Sequence, residues 1–195
     1  MINDRFPAKV DKMQRRPKNL LFFAPNATSV KKEDQPKIEV DYRSIDYMLD
    51  GLTIVSLLIS FGLAAYYYGK LPDEIPSHMN IKGEVDAIGS KMTLWILPII
   101  GFVLAAGFAA IYRIPHKFNY IQTITEKNAK RIYESSLTIM RYINAVIQIA
   151  FAYITYTIIF SAFGKSSGLG PWFIIILLVA TFGGTIAMFM VKGKE

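Results

Sequence analysis

Four uninterrupted apolar runs, Gly51 to Gly69, Leu94 to Tyr112, Tyr142 to Phe163 and Leu169 to Val191, contain no charged side chain, in a chain that holds 22 Lys and Arg and 15 Asp and Glu. At about 1.5 Å rise per residue, a helix of roughly 20 residues matches a hydrocarbon layer about 30 Å thick. One charge at the centre of such a helix costs on the order of 3 kcal/mol, so the exclusion of every charge has a physical cause. Buried helices of a soluble protein usually keep a polar stripe, and a membrane β-barrel needs period-two alternation, which is absent. The sequence predicts an all-α integral membrane protein with four transmembrane helices, surrounded by the lipid bilayer of the cell membrane. Its organisation reads as a mobile cytoplasmic tail over 1–36, a three-helix membrane module over 37–163, and a fourth helix with a short tail over 164–195.

Charge sets the expected orientation. Alternate segments between the runs hold eighteen basic residues against four, and the richer set comprises the N-terminal region, the loop from Arg113 to Arg141 and the C-terminal tail. The positive-inside bias puts these in the cytoplasm, N-in and C-in, with Lys70 to Thr93 and Gly164 to Gly170 outside. Tyr66, Tyr67, Tyr68, Trp95 and Trp172 then fall at the outer boundary, and Tyr112 and Tyr142 at the inner one. The net charge of +7 follows from this sorting and needs no nucleic-acid partner. Arg15, Arg16 and Lys18 precede an apolar stretch, Leu20 to Ala24, that is too short for a signal peptide, whose core runs about seven residues or more. The chain has no cysteine, which excludes disulfides, thiolate metal sites and cysteine nucleophiles.

Within the runs, small residues mark faces for close helix contact: Ser56, Ser60 and Ala64 in the first, Gly101, Ala105 and Ala109 in the second, and Ala180 with Gly184 and Gly183 with Ala187 in the fourth. Such faces also suit homo- or hetero-oligomers. Ser44 is placed to cap the first helix, after an extended piece at Lys37 to Tyr42. Pro98 lies about one turn into the second helix, where it can kink the chain, and Pro171 suits the first turn of the fourth. Asn144, Gln148 and Thr155 form an intramembrane polar stripe on the third. No carboxylate or histidine accompanies the stripe within its run, so interhelical hydrogen bonding is favoured over a solute path.

The two longer loops carry the ordered polar chemistry. In the first, Pro72 and Pro76 stiffen the entry, Asn80 and Gly83 have turn chemistry, Gly89 permits a positive φ, and Ser90 can cap the second helix, which predicts a short β-hairpin. In the second, Thr123 and Glu126 have capping-box spacing, so a helix is expected from Thr123 or Thr125 onward, with Ile132, Leu137 and Met140 on its apolar side. Leu71, Pro72, Ile75, Pro76, His78, Asn80, Gly83, Asp86, Gly89, Ser90 and Lys91 occur here in an order and spacing that resemble the domain of unknown function 1648, the bacterial and archaeal module that opens the SdpI-type immunity membrane proteins. A second block, Pro115, His116, Phe118, Asn119, Tyr120, Thr125, Glu126, Asn128, Ala129 and Tyr133, is similar to that family's cytoplasmic loop. The resemblance implies a helical membrane module and, for the SdpI-type proteins, protection against a secreted toxin with signalling through a sequestered repressor.

Catalytic chemistry is not visible. His78, Glu84 and Asp86 have donors suited to Zn or Mn, but a loop histidine among turn residues more often pins the loop by hydrogen bonds. Ser77 and His78 are neighbours in an extended segment and point to opposite faces. No phosphate-binding glycine loop follows a strand. The expectation is therefore a protein that is not an enzyme, with no metal and no cofactor. Three functions fit: an immunity or ligand-sensing module meeting a secreted peptide or toxin outside and a regulator inside, a small transporter or channel subunit, or a structural partner of another membrane protein.

Overall fold

The computed structural model describes residues 35–192. The tail expected over 1–36, with Leu20 to Ala24, lies outside the described residues apart from Gln35 and Pro36. Three helices are long and apolar enough to cross a membrane: α1 (Ser44–Tyr68), the continuous Lys91–Ile111, and α3 (Ala129–Ala162). Within the second, Lys91–Trp95 is a 3-10 turn and α2 proper runs Ile96–Ile111. Pro98 is thus the third residue of α2, in the first turn, where an N–H has no partner within the helix. The proline costs the α-helical ladder no bond.

The fourth apolar run does not form one uninterrupted helix. It folds as α4 (Trp172–Leu178), a π-helical turn Val179–Gly183, and α5 (Gly184–Lys192). Pro171 is its N-cap, one position earlier than the first-turn placement expected. The wide turn has a visible cause in the packing. The Tyr142 hydroxyl donates to the Ala180 carbonyl, and its ring lies where a side chain at position 184 would project, so glycine is required there. Of the four expected spans, three are therefore long continuous helices, and the fourth run is a shorter apolar helix, Trp172–Met188.

Helix α3, 34 residues and about 51 Å long, exceeds a bilayer core and is the axis of the fold, packed along α1 and more lightly against α2. The small residues Ser56, Ser60 and Ala64 are buried on α1, facing α3, and Ser60 hydrogen-bonds Thr155 at 3.1 Å. On α2 only Gly101 of the expected small-residue face is buried. Ala105 is half-buried and Ala109 exposed.

Both expected helix starts shift for the same reason, a side-chain acceptor stronger than the residue first favoured. Arg43, not Ser44, is the N-cap of α1, and its N–H donates to the Asp46 carboxylate at 3.0 Å. An acid at the third helical position satisfies an orphan donor and faces the positive end of the helix dipole. In the second loop α3 begins at Ala129, and the Thr123 and Glu126 capping box does not form. Asn128 displaces it: its carbonyl oxygen accepts from the Thr125 N–H at 2.7 Å and its amide donates to the Thr123 carbonyl at 3.0 Å. That ties residues 123–128 into a turn ahead of the helix.

The expected hairpin is present as β1 (Glu74–Met79) paired antiparallel with β2 (Val85–Ser90). Its tip follows from Asn80, whose side-chain oxygen accepts from the Lys82 and Glu84 N–H groups at 2.9 and 3.0 Å, and from Gly83 at φ 78°. Gly89 does not adopt the expected positive φ. It sits in the ladder opposite Ile75, where a Cβ would meet the Ser77 side chain at 3.0 Å. Beneath the hairpin a core of Ala64, Leu71, Ile75, Leu94 and Ile159 seals this end of the bundle.

Candidate functional site

The hairpin motif divides into residues that hold it down and residues it displays. Ile75 and Pro76 are buried. Lys91 closes the base, its ammonium 2.8 Å from the Asp73 carboxylate and its N–H donating to the Asp73 carbonyl at 2.9 Å. The Lys91 hydrogen bond holds the Asp73 carboxyl below its ordinary range. Ser90 accepts from the Met92 N–H at 3.3 Å, the capping role expected of it. Pro72 is exposed. His78 and Asp86 form an exposed pair, Nδ1 to Oδ1 2.6 Å, on the displayed face. Glu84 instead accepts from the Asn80 amide at 3.0 Å, and no group of three metal-ligating side chains occurs among the described residues. The tip is docked on the loop after α3: Gly83 accepts from the Leu169 N–H at 2.7 Å, and a Cβ at Gly83 would lie 2.5 Å from the Gly170 carbonyl.

At the opposite end the second motif is a packed platform. Tyr133 is fully buried and donates to the Pro36 carbonyl at 3.1 Å, with the Tyr120 ring stacked on it at 5.6 Å. Tyr120 donates to the Pro115 carbonyl at 3.0 Å, and burial pushes its hydroxyl up to about 12. Pro115 is buried, Asn119, Thr125 and Glu126 are exposed, and Asn128 is the turn-former described above. The strap from Gln35 to Arg43 lies across this platform: Gln35 donates to the Phe118 carbonyl at 3.2 Å, Ile38 and Val40 pack on Ile132 and Tyr133, and Asp41 pairs with Lys130 at 2.6 Å.

Between these ends the polar stripe of α3 is engaged with its neighbours. Gln148, 1% exposed, donates to the Gly101 carbonyl at 2.8 Å and touches Asn144 at 3.4 Å, while Thr155 meets Ser60. Gly101 is required by this contact, since a Cβ there would lie 2.6 Å from the Gln148 side-chain oxygen.

The sequence reading missed the charged cluster that joins α1 to α3. Asp46, 2% exposed, accepts from the Thr138 hydroxyl at 2.6 Å and from Arg43 Nε at 3.3 Å, with Arg141 Nη1 at 3.6 Å. Arg43 also donates to the Thr138 oxygen. Arg141, 3% exposed, donates from Nε to Asp50 at 3.2 Å, and its guanidinium lies between the rings of Tyr42 and Tyr112, 4.4 and 4.7 Å from their centroids. Two arginines and two aspartates balance to zero around the buried pair Asp46 and Arg141, and the planar guanidinium suits stacking as well as pairing. One signal could have found it: Asp46 and Asp50 are four apart on α1, on the face that continues through Ser56 and Ser60.

The fold is mostly helical, with three helices long and apolar enough to cross a membrane and an ordered polar construction at each end. Residues 55–102 match the family model described as Domain of unknown function (DUF1648), so the chain carries that domain from within α1, through the hairpin, to the first turns of α2. No curated protein and no solved structure matches the chain.

Proposed function

We propose that the chain is a four-span module of the cell membrane, N-in and C-in, that acts as an SdpI-like immunity or ligand-sensing protein and not as an enzyme. The hairpin face meets a secreted peptide or toxin, and the platform around Tyr120 and Tyr133 meets a cytoplasmic regulator. One observation carries the reading: two of the three stripe residues of α3 are taken up by neighbouring helices, Gln148 by Gly101 and Thr155 by Ser60, while the displayed polar groups are at the two ends. A conducting protein needs its unusual polar chemistry near the bilayer midplane, facing a cavity. The split of the last run by a π turn is compatible with a fourth crossing, because α4, the turn and α5 continue from Trp172 to Lys192.

The experiment is a deletion strain challenged with membrane-active peptides and complemented by variants. Changes at Asn80, Gly83 and Asp86, or at Asn119, Tyr120 and Glu126, are expected to abolish protection without preventing insertion, whereas Asn144→Leu and Gln148→Leu are milder. Failure of only the Asn144 and Gln148 variants, with flux in liposomes, would replace the reading with conduction. Topology is tested on the same cysteine-free chain: single cysteines at Lys82 and Ser166 react with an impermeant maleimide in whole cells, and those at Asn26 and Lys127 do not.

A further inference from the structure

A cavity of about 700 Å³ opens between α1, α2 and α3 under the strap, beside the arginine–aspartate cluster. Buried polar groups almost always have partners, yet among the described residues two hydroxyls lining this cavity make no full hydrogen bond: Thr53, in a residue only 6% exposed, and Tyr112, which has only the Asn144 side chain beside it. A third acceptor adjoins them. Asp50, one turn before Thr53 on α1, takes its only hydrogen bond among the described residues on Oδ2, from Arg141, so Oδ1 has no donor. Arg141 cannot serve a ligand as a cation, since two carboxylates and two tyrosine rings already surround its guanidinium. Arg113, at the mouth, is exposed and has no ion-pair partner among the described residues. The remaining wall toward the gap between α1 and α2 is Ile54, Ala105 and Ala109, apolar and kept wide by the two alanines.

We propose that this cavity binds the headgroup of an amine-bearing phospholipid. A primary ammonium has three N–H donors, and Asp50 Oδ1 and the Thr53 and Tyr112 hydroxyls offer it acceptors in one place that no full hydrogen bond occupies among the described residues. The phosphate then reaches Arg113, and one acyl chain lies over Ile54, Ala105 and Ala109. A quaternary choline headgroup has no N–H to give. A headgroup with only negative charge would be set against Glu39, Asp41 and Asp50, which line the same cavity. A free amine shares the ammonium but leaves Arg113 and the apolar wall unused, so the lipid is the source the cavity fits. This inference does not depend on the immunity or sensing role.

The test is native mass spectrometry of the purified full chain from an equimolar mixture of phosphatidylethanolamine and phosphatidylcholine with matched acyl chains. The ethanolamine lipid is expected to be retained about tenfold over the choline lipid, the effect of one charge-assisted hydrogen bond. The mono- and dimethylated headgroups should fall between, in order of their N–H count. Thr53→Val keeps shape and removes no internal bond, so it should reduce the preference while circular dichroism stays unchanged, and Tyr112→Phe should do the same. Equal retention of the two lipids, as a cavity holding only water requires, would overturn the proposal. So would a preference that survives both substitutions, and displacement of the lipid by millimolar free ethanolamine would overturn the lipid as its source.

Discussion

Asp46 is the residue on which the junction of α1 and α3 depends most, and replacing it by alanine should be the most destabilising change in the cluster. At 2% exposure it has almost no solvent to fall back on. The substitution removes the acceptor for the Arg43 N–H at the helix start, for the Thr138 hydroxyl and for Arg43 Nε, and strips a counter-charge from buried Arg141. Losing a cap costs about 1 kcal/mol, and removing one partner of a buried pair about 3–5 kcal/mol. These losses overlap, so the expected total is about 3–5 kcal/mol. Asp50 provides the contrast: its side chain is 31% exposed and it accepts one bond, from Arg141 at 3.2 Å, so Asp50→Ala should cost only about 1 kcal/mol. Asp46→Asn should lie between, because an amide oxygen still accepts from Thr138 although the charge is gone. Reversible unfolding in mixed micelles of rising dodecyl sulfate content, followed by circular dichroism, measures all three. If Asp46→Ala and Asp50→Ala fall within about 1 kcal/mol of each other, the assignment of the buried junction to Asp46 is wrong.

Gly101→Ala places a methyl 2.6 Å from the Gln148 oxygen and should lower stability by about 1–3 kcal/mol in the same assay, whereas Gly107→Ala, with nothing within 4 Å, should be neutral or slightly stabilising. Gly83→Ala combines φ 78° with a clash on the Gly170 carbonyl, so it should release the hairpin from the loop after α3, seen as faster amide exchange at Leu169. Because the Tyr120 hydroxyl is raised from 10.0 to about 12 by burial, its contribution is complete below pH 10 and is lost as pH climbs from about 10 to 12; melting temperature should drop across that window less steeply in Tyr120→Phe.

What could be read from the chain was what local patterns encode. Charge exclusion over about 20 residues locates α1, the Lys91–Ile111 helix and the membrane part of α3, and Asn80 with Gly83 locates the hairpin tip, because the physics acts within a few neighbouring residues. The failures are equally local in origin. Ser44 and Thr123 were plausible caps, but the Asp46 carboxylate takes the Arg43 N–H and the Asn128 side chain takes the Thr125 N–H, so each helix start is set by a different residue. Gly89 has no turn to make and serves close packing on Ser77 instead. The charged cluster was harder to read: the spacing of Asp46 and Asp50 marks a face of α1, but Asp50 and Arg141 are 91 residues apart and their charges flank the apolar runs, so the pairing shows only when the helices are brought together.

That separation has a consequence for how the protein is made. At synthesis rates of about 5–20 residues per second, Asp46 and Asp50 leave the ribosome on the order of ten seconds before Arg141. During that interval the first helix enters the bilayer with two acids and Arg43 as its near cation, its final register against α3 undecided. Only the arrival of Arg141 gives Asp50 its hydrogen-bond donor and Asp46 a second cation, so the charges of α1 are fully matched only once α3 has docked. A nascent chain stopped before residue 141 should present α1 with Asp50 lacking its cation to membrane quality-control proteases, and one extended past it should not.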